Sequence, residues 1–292
     1  MSAILPLFPL DDPMPHAKAD APIGIFDSGI GGLSVALEIA RHLPNENIVY
    51  YADTANVPYG PRTDQNIREL TAQAIEWLYR KGCKIAVVAC NTASAFSLDY
   101  LREHYGEKFP IVGLVPALKP AVLQSKTKVV AVLATPATFR GKLIKDVVQN
   151  FAEPLNVEVL TLTCLDLVPY VEAGLQNSPE CETSLKAVLD PALAQNVDFL
   201  VLGCTHYPFL KDTIARIYGE KLTLVDSGLA VARQTARILI KNKLNAETNN
   251  MKKIKLSCYL SGQNSKELEP IIKHLIDFEL SWSIEDIVDK IP

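Results

Sequence analysis

Two short stretches of the chain carry side chains able to move protons. Val87 to Ala95 reads VVACNTASA, and Leu200 to Pro208 reads LVLGCTHYP. Each runs apolar and then presents a thiol followed by hydrogen-bonding side chains: Cys90 with Asn91 and Thr92, Cys204 with Thr205 and His206. A cysteine on an apolar strand is ordinarily an inert core residue, and Cys83, Cys164, Cys181 and Cys258 are so assigned. Cys90 and Cys204 differ because each stands where a strand gives way to an expected helix start, with Asn91, Thr92 and Thr205 available as caps. A helix N-terminus stabilises a thiolate and draws its pKa below the free value of about 8.5. Either thiol is therefore expected to act as a base near neutral pH.

Two chemistries fit. In an acyl transfer, Cys90 is the nucleophile, His206 the base and Asp27 its orienter; Cys204 then has no task. A base on each face of one carbon employs both thiols, one removing a proton while the other delivers one from the opposite side, so that the centre inverts. A metal site is not expected, since His206 is the only histidine near either cysteine in sequence and there is no C-x-x-C pair. His16, His42, His104 and His274 are assigned to surface or packing roles.

Two loops could hold a ligand beside the thiols. Phe26 to Val35, FDSGIGGLSV, joins a strand to a helix through glycines. Gly29 and Gly31 match part of a dinucleotide fingerprint, and Asp53 lies where a ribose-binding acid would stand. Ser34 replaces the third glycine, however, and Asp27 sets a carboxylate where a pyrophosphate would lie. Asp27 and Ser28 instead offer an anion and a hydroxyl to a ligand bearing an ammonium group. In YYADTANVPYGPRT, Pro58, Tyr59 and Gly60 form either an ordinary turn or a loop whose amides bind a carboxylate. Glu172, in LVPYVEAG, is either a solvated helix residue or a carboxylate facing His206.

These residues must be placed by β-α units. Apolar runs at Ile23–Asp27, Ile48–Ala52, Ile85–Ala89, Ile111–Val115, Val129–Ala134, Val157–Leu162, Phe199–Gly203 and Leu222–Asp226 alternate with segments of helical period. One helix is read directly: Asp64 caps it, Ile67, Leu70, Ala74 and Leu78 share a face, and Gly82 ends it. Asp27 to Thr135 spans 108 residues, Asp53 to Thr163 110, Cys90 to Cys204 114 and Val112 to Val225 113, which suggests an internal duplication. The expected fold is α/β: two similar doubly wound domains with mostly parallel sheets, related by a pseudo-twofold, with the active site between them. Gly228 to Lys241 reads as a helix, 242–253 as an exposed polar loop, Ile254–Leu260 as a strand and Ser265–Asp277 as a helix rejoining the first half. The domains expected are an N-terminal extension over 1–22, a discontinuous first domain of 23–114 plus 228–292, and a second of 115–227.

With 292 residues, 48% of them apolar, the chain can bury two cores. A net charge of -4, its signs interspersed, leaves no basic footprint for nucleic acid. No apolar run reaches the roughly 20 residues that span a bilayer. Irregularly spaced cysteines point to a reducing compartment, the cytoplasm. The five prolines among the first 22 residues argue against a secretory signal.

FDSGIGGLSV, YYADTANVPYG, VVACNTASA, LVLGCTHYP and LVDSGLAVA, in this order, resemble the glutamate racemases of bacterial cell-wall synthesis over almost the whole chain from Ile23. Together the five motifs are highly specific. The resemblance implies two α/β domains around a cofactor-independent site that interconverts L- and D-glutamate, the D form feeding peptidoglycan. It implies that Cys90 deprotonates D-glutamate and Cys204 L-glutamate, with Asp27, His206 and Glu172 assisting. It implies substrate contacts from Ser28, Pro58, Tyr59, Gly60, Asn91, Thr92 and Thr205, and from the hydroxyl pair Thr135 and Thr138. Aspartate is the rival substrate, and the forms CNTAS and GCTHYP favour glutamate. A cell-wall precursor is an expected regulator, by analogy with longer family members, and a homodimer a compatible assembly.

Overall fold

The computed structural model describes residues 18–106, 108–247, 254–277 and 279–287. Most of the expected extension, residues 1–17, and the 248–253 part of the expected loop lie outside the described residues. Ten strands and eleven α-helices alternate along the described chain: β1 (Ile23–Asp27), α1 (Leu33–His42), β2 (Ile48–Ala52), α2 (Asp64–Arg80), β3 (Ile85–Val88), α3 (Asn91–Tyr105), β4 (Ile111–Gly113), α4 (Leu118–Gln124), β5 (Val129–Ala134), α5 (Pro136–Arg140), α6 (Lys142–Val147), β6 (Glu158–Leu162), α7 (Leu167–Glu172), α8 (Pro179–Leu193), β7 (Phe199–Gly203), α9 (Lys211–Tyr218), β8 (Thr223–Val225), α10 (Gly228–Lys241), β9 (Lys255–Leu260), α11 (Ser265–Leu275) and β10 (Ser281–Asp286).

The strands form two sheets, in the orders β10-β9-β2-β1-β3-β4 and β6-β5-β7-β8, and every pairing is parallel. The order 2-1-3-4 in the first sheet recurs as 6-5-7-8 in the second, so the spacing read from the sequence corresponds to a repeated topology. β9 pairs with β2, returning the C-terminal portion to the first sheet as expected. β10 is absent from the sequence-based set of strands. Its segment SWSIED alternates polar and apolar residues on a half-buried edge, too short a signal to stand out.

Both faces of each sheet are covered, which is why the central strands are apolar throughout. Ile23 and Ile25 of β1 face a core shared with α1, α10 and α11, while Phe26 joins the core under α2 and α3. Alternation also sorts the two thiols. Cys90 continues the Ala86 and Val88 face into the α2/α3 core, and Cys204 continues the Leu200 and Leu202 face toward α7 and α8. At the opposite, amino end of the first sheet, fully buried Lys84 pairs with Glu46 and also donates to the carbonyl of Ala19. Removing one member of such a buried pair typically costs about 3–5 kcal/mol, because the other is left without its counter-charge.

The cap of α2 differs from expectation: Thr63, not Asp64, accepts from the Asn66 amide, and Asp64 is the first helical residue. Threonine there keeps extended backbone angles, as a capping residue must.

Candidate active site

Cys90 is itself the N-cap of α3. Its sulfur accepts from the amide of Ala93 at 3.4 Å, so Asn91 and Thr92 are not the caps the sequence suggested. Its thiol donates to the hydroxyl of Ser28 at 3.6 Å. The expected low thiol pKa is overturned. Burial raises it strongly, the carboxylate of Asp27 raises it further, and the Ala93 amide and Ser28 offset only part of this. A helix N-terminus lowers a cysteine pKa where water also solvates the thiolate, and Cys90 is only 5% exposed. In the ligand-free protein we therefore expect iodoacetamide to modify Cys90 slowly at about pH 7. The rate should keep climbing with pH, with no plateau near the free-thiol value of about 8.5. Timed peptide mass spectrometry reads this directly, and a plateau there would refute the raised pKa.

Cys204 directly follows β7, and the chain then turns through a 3-10 segment, Tyr207–Leu210, before α9 begins. The helix N-terminus expected immediately after this thiol is therefore absent. In its place stands a relay of side chains. Cys204 Sγ lies 3.6 Å from His206 Nδ1, and His206 Nε2 lies 2.6 Å from Glu172 Oε1. Burial opposes charge on the ring, but its bonds to Cys204 and Glu172 prevail and hold the His206 pKa well above its ordinary value. Glu172, last residue of α7, is not a solvated carboxylate, because its Oε1 also accepts from the amide of Ile30 at 2.8 Å.

The glycine-rich turn after β1 meets this relay. A Cβ on Gly31 would sit 2.3 Å from His206 Nδ1, and one on Gly29 2.1 Å from Glu172 Oε1. These glycines let the backbone approach opposing side chains and do not mark a pyrophosphate cradle. Asp27, fully buried, accepts from the Gly29 amide and from the Thr205 hydroxyl, both at 3.1 Å. Burial raises its carboxyl pKa, opposed chiefly by the nearby His206. Its hydrogen bonds thus tie it to the Cys204 side, while its charge acts on Cys90.

The remaining candidates assemble around the same centre. The Thr92 and Thr135 hydroxyls are 2.8 Å apart, and those of Thr135 and Thr138 3.0 Å, in a chain linking the start of α3 to the turn after β5. Asn91 is buried, and its amide oxygen has no partner among the described residues. Tyr59 is buried with its hydroxyl 2.5 Å from Asp53, so its loop is left with backbone groups to offer a ligand. Gly60 packs near Thr135, whereas Pro58 is exposed. Asp53 also accepts from Ser261 and Asn56, which commits it to the loop and leaves no role at a ribose. Sequence reasoning missed Ser34, whose hydroxyl lies 2.8 Å from the Thr205 carbonyl, and Tyr50, which bonds the Gly29 carbonyl at 2.7 Å. The only signal of Ser34 was its departure from a glycine pattern.

Residues 32–235 match the family model described as Asp/Glu/Hydantoin racemase. A glutamate racemase of Deinococcus radiodurans is 54% identical over 233 residues, which cover 80% of this chain and 79% of that protein. Among solved structures, glutamate racemase from Francisella tularensis in complex with D-glutamate is similar at a TM-score of 0.76 and 30% identity, covering 92% of this chain and 98% of that one. Glutamate racemase of Escherichia coli, in complex with L-glutamate and the activator UDP-MurNAc-ala, also gives 0.76, at 32% identity and coverage of 91% and 98%.

Proposed function

The chain belongs to the aspartate/glutamate/hydantoin racemase family, and from that premise we propose that it interconverts L- and D-glutamate by two-base proton transfer, without a cofactor. The observation that carries this reading is a run of buried side chains joining the two cysteines that follow equivalent strands of the two sheets: Cys90 bonds Ser28, and the neighbouring Asp27 accepts from Thr205, which adjoins Cys204. Cys204 abstracts the α-proton of L-glutamate and Cys90, held as a thiol, protonates the opposite face; the roles exchange for D-glutamate. His206, bridging Cys204 and Glu172, shuttles the proton of Cys204. Asp27, Thr205 and Ser28 face the substrate's ammonium side. The orphaned Asn91 oxygen is a ready acceptor for that ammonium. Thr92, Thr135, Thr138 and the amides of the Pro58–Gly60 loop take the carboxylates. Likeness to complexes holding D- and L-glutamate favours glutamate over aspartate.

We assign 23–114 plus 228–292 to one domain and 115–227 to the other, in keeping with the two sheets. The D-glutamate formed would supply peptidoglycan synthesis. Regulation by a cell-wall precursor fits the activator bound in the Escherichia coli relative. All six cysteines are free, which suits a reducing cytoplasm, and no helix among the described residues is long and apolar enough to cross a membrane.

The test is incubation of cofactor-free protein with each enantiomer of glutamate and aspartate in deuterium oxide. We expect the glutamate enantiomers to converge to equal amounts, with deuterium at the α-carbon of the newly formed enantiomer. Faster turnover of aspartate, or inversion with the original α-hydrogen retained, would overturn the assignment.

A further inference from the structure

Tyr50 of β2 is fully buried, and its ring joins the core shared with α1, α10 and α11. Its hydroxyl lies tight under the glycine-rich turn: a Cβ on Gly32 would sit 2.8 Å from the Tyr50 oxygen and 2.5 Å from Asp27 Cβ. Burial, and after it the charge of Asp27, raises the phenol pKa well above its ordinary value. The hydroxyl therefore keeps its proton and serves as a donor, not as a carrier of protons.

The Gly29 carbonyl and the Ile30 amide belong to one planar peptide unit, so whatever fixes the first aims the second. Glycine on one side leaves that unit free to rotate unless a partner holds it. Both of its ends are held here. The Tyr50 hydroxyl donates to the carbonyl at 2.7 Å, and the Ile30 amide donates to Glu172 Oε1 at 2.8 Å. The same Oε1 lies 2.6 Å from His206 Nε2, and His206 Nδ1 lies 3.6 Å from Cys204 Sγ. Hydrogen bonds in such a buried chain polarise one another. Cys90 stands outside it, since its sulfur bonds the Ala93 amide and the Ser28 hydroxyl.

We propose that Tyr50 is a positioning residue for the Cys204 half of the reaction: its hydroxyl aims the Ile30 amide at Glu172 and so holds that carboxylate against His206. The peptide is the carboxylate's anchor besides the imidazole that it must orient. This role rests on the two-base reading above.

In Tyr50→Phe the ring keeps its place and only the hydroxyl is lost. We expect kcat to fall about fivefold, the factor corresponding to one neutral hydrogen bond, with KM little changed. Enantiomers have equal free energies, so the loss appears in both directions, and substrates deuterated at the α-carbon locate it. The isotope effect on kcat/KM should rise for L-glutamate, whose α-hydrogen Cys204 removes, and fall for D-glutamate, whose α-hydrogen Cys90 removes. A merely structural weakening would move neither, or both alike. Tyr51→Phe is the control: it is the next residue of β2, its ring packs on the opposite side of the sheet, and it should match the wild type. Nitrogen-15 NMR of histidine-labelled, substrate-free protein gives a readout without turnover. His206 should titrate at lower pH in Tyr50→Phe than in the wild type, because its bond to Glu172 helps to keep its pKa raised. Wild-type kcat, isotope effects that shift alike for both enantiomers, or an unmoved His206 titration would overturn the role. The His206 shift in a protein that does not racemise glutamate would instead overturn the function and leave the positioning standing.

Discussion

Replacing either Cys90 or Cys204 by alanine should lower racemisation of glutamate by at least about a thousandfold, within the range by which positioned acid–base groups accelerate reactions. Each sulfur serves one face of the α-carbon, and among the described residues only these two thiols are bonded to Ser28 or His206, whereas Cys83 and Cys258 sit deep in cores and Cys164 and Cys181 pack among α7 and α8. The two losses should differ in what survives. With Cys204 intact, Cys90→Ala should still exchange the α-hydrogen of L-glutamate with solvent deuterium, slowly and with retention, because one base remains on that face. Cys204→Ala should do the same for D-glutamate only. Chiral chromatography with mass detection separates exchange from inversion. Near-normal inversion in either variant would dismiss the two-base mechanism, and the acyl-transfer alternative predicts that Cys204→Ala alone is tolerated.

The second large effect is expected from a residue with no side chain. In Gly31→Ala the added carbon would lie 2.3 Å from His206 Nδ1 and 2.5 Å from its Cε1, far inside contact distance. His206 is 2% exposed and bonded at both nitrogens, so it cannot withdraw without breaking its link to Cys204 or Glu172. A displacement of about 1 Å at a catalytic group can cost about a hundredfold in rate, and that loss in kcat is the expected result. Overpacking should also lower stability by about 1–3 kcal/mol, read by urea denaturation. Gly60→Ala is the internal control. Its new carbon would come no nearer than 3.2 Å to Thr135, so its loss should be smaller in both readouts. If Gly31→Ala keeps wild-type kcat, the turn does not hold the histidine.

The sheet strands from β1 to β9 were legible because runs such as Ile85–Val88 and Phe199–Gly203 are apolar end to end, as strands buried on both faces must be. The paired cysteines were legible because each ends such a run, and their spacing follows the repeated strand order. The edge strand β10 was not, since half burial leaves only Trp282 and Ile284 as apolar markers.

Local periodicity and residue identity suffice to read the alternation of strand and helix, the duplication, and the residue types available for proton transfer. How those groups behave follows from their folded surroundings. Burial, not position at a helix start, governs the Cys90 thiol. Glu172 became a partner of His206 because chain segments 34 residues apart converge, and Gly31 proved to be space for an imidazole 175 residues away. Desolvation and close contact depend on what surrounds an atom in three dimensions, and sequence spacing carries no record of that.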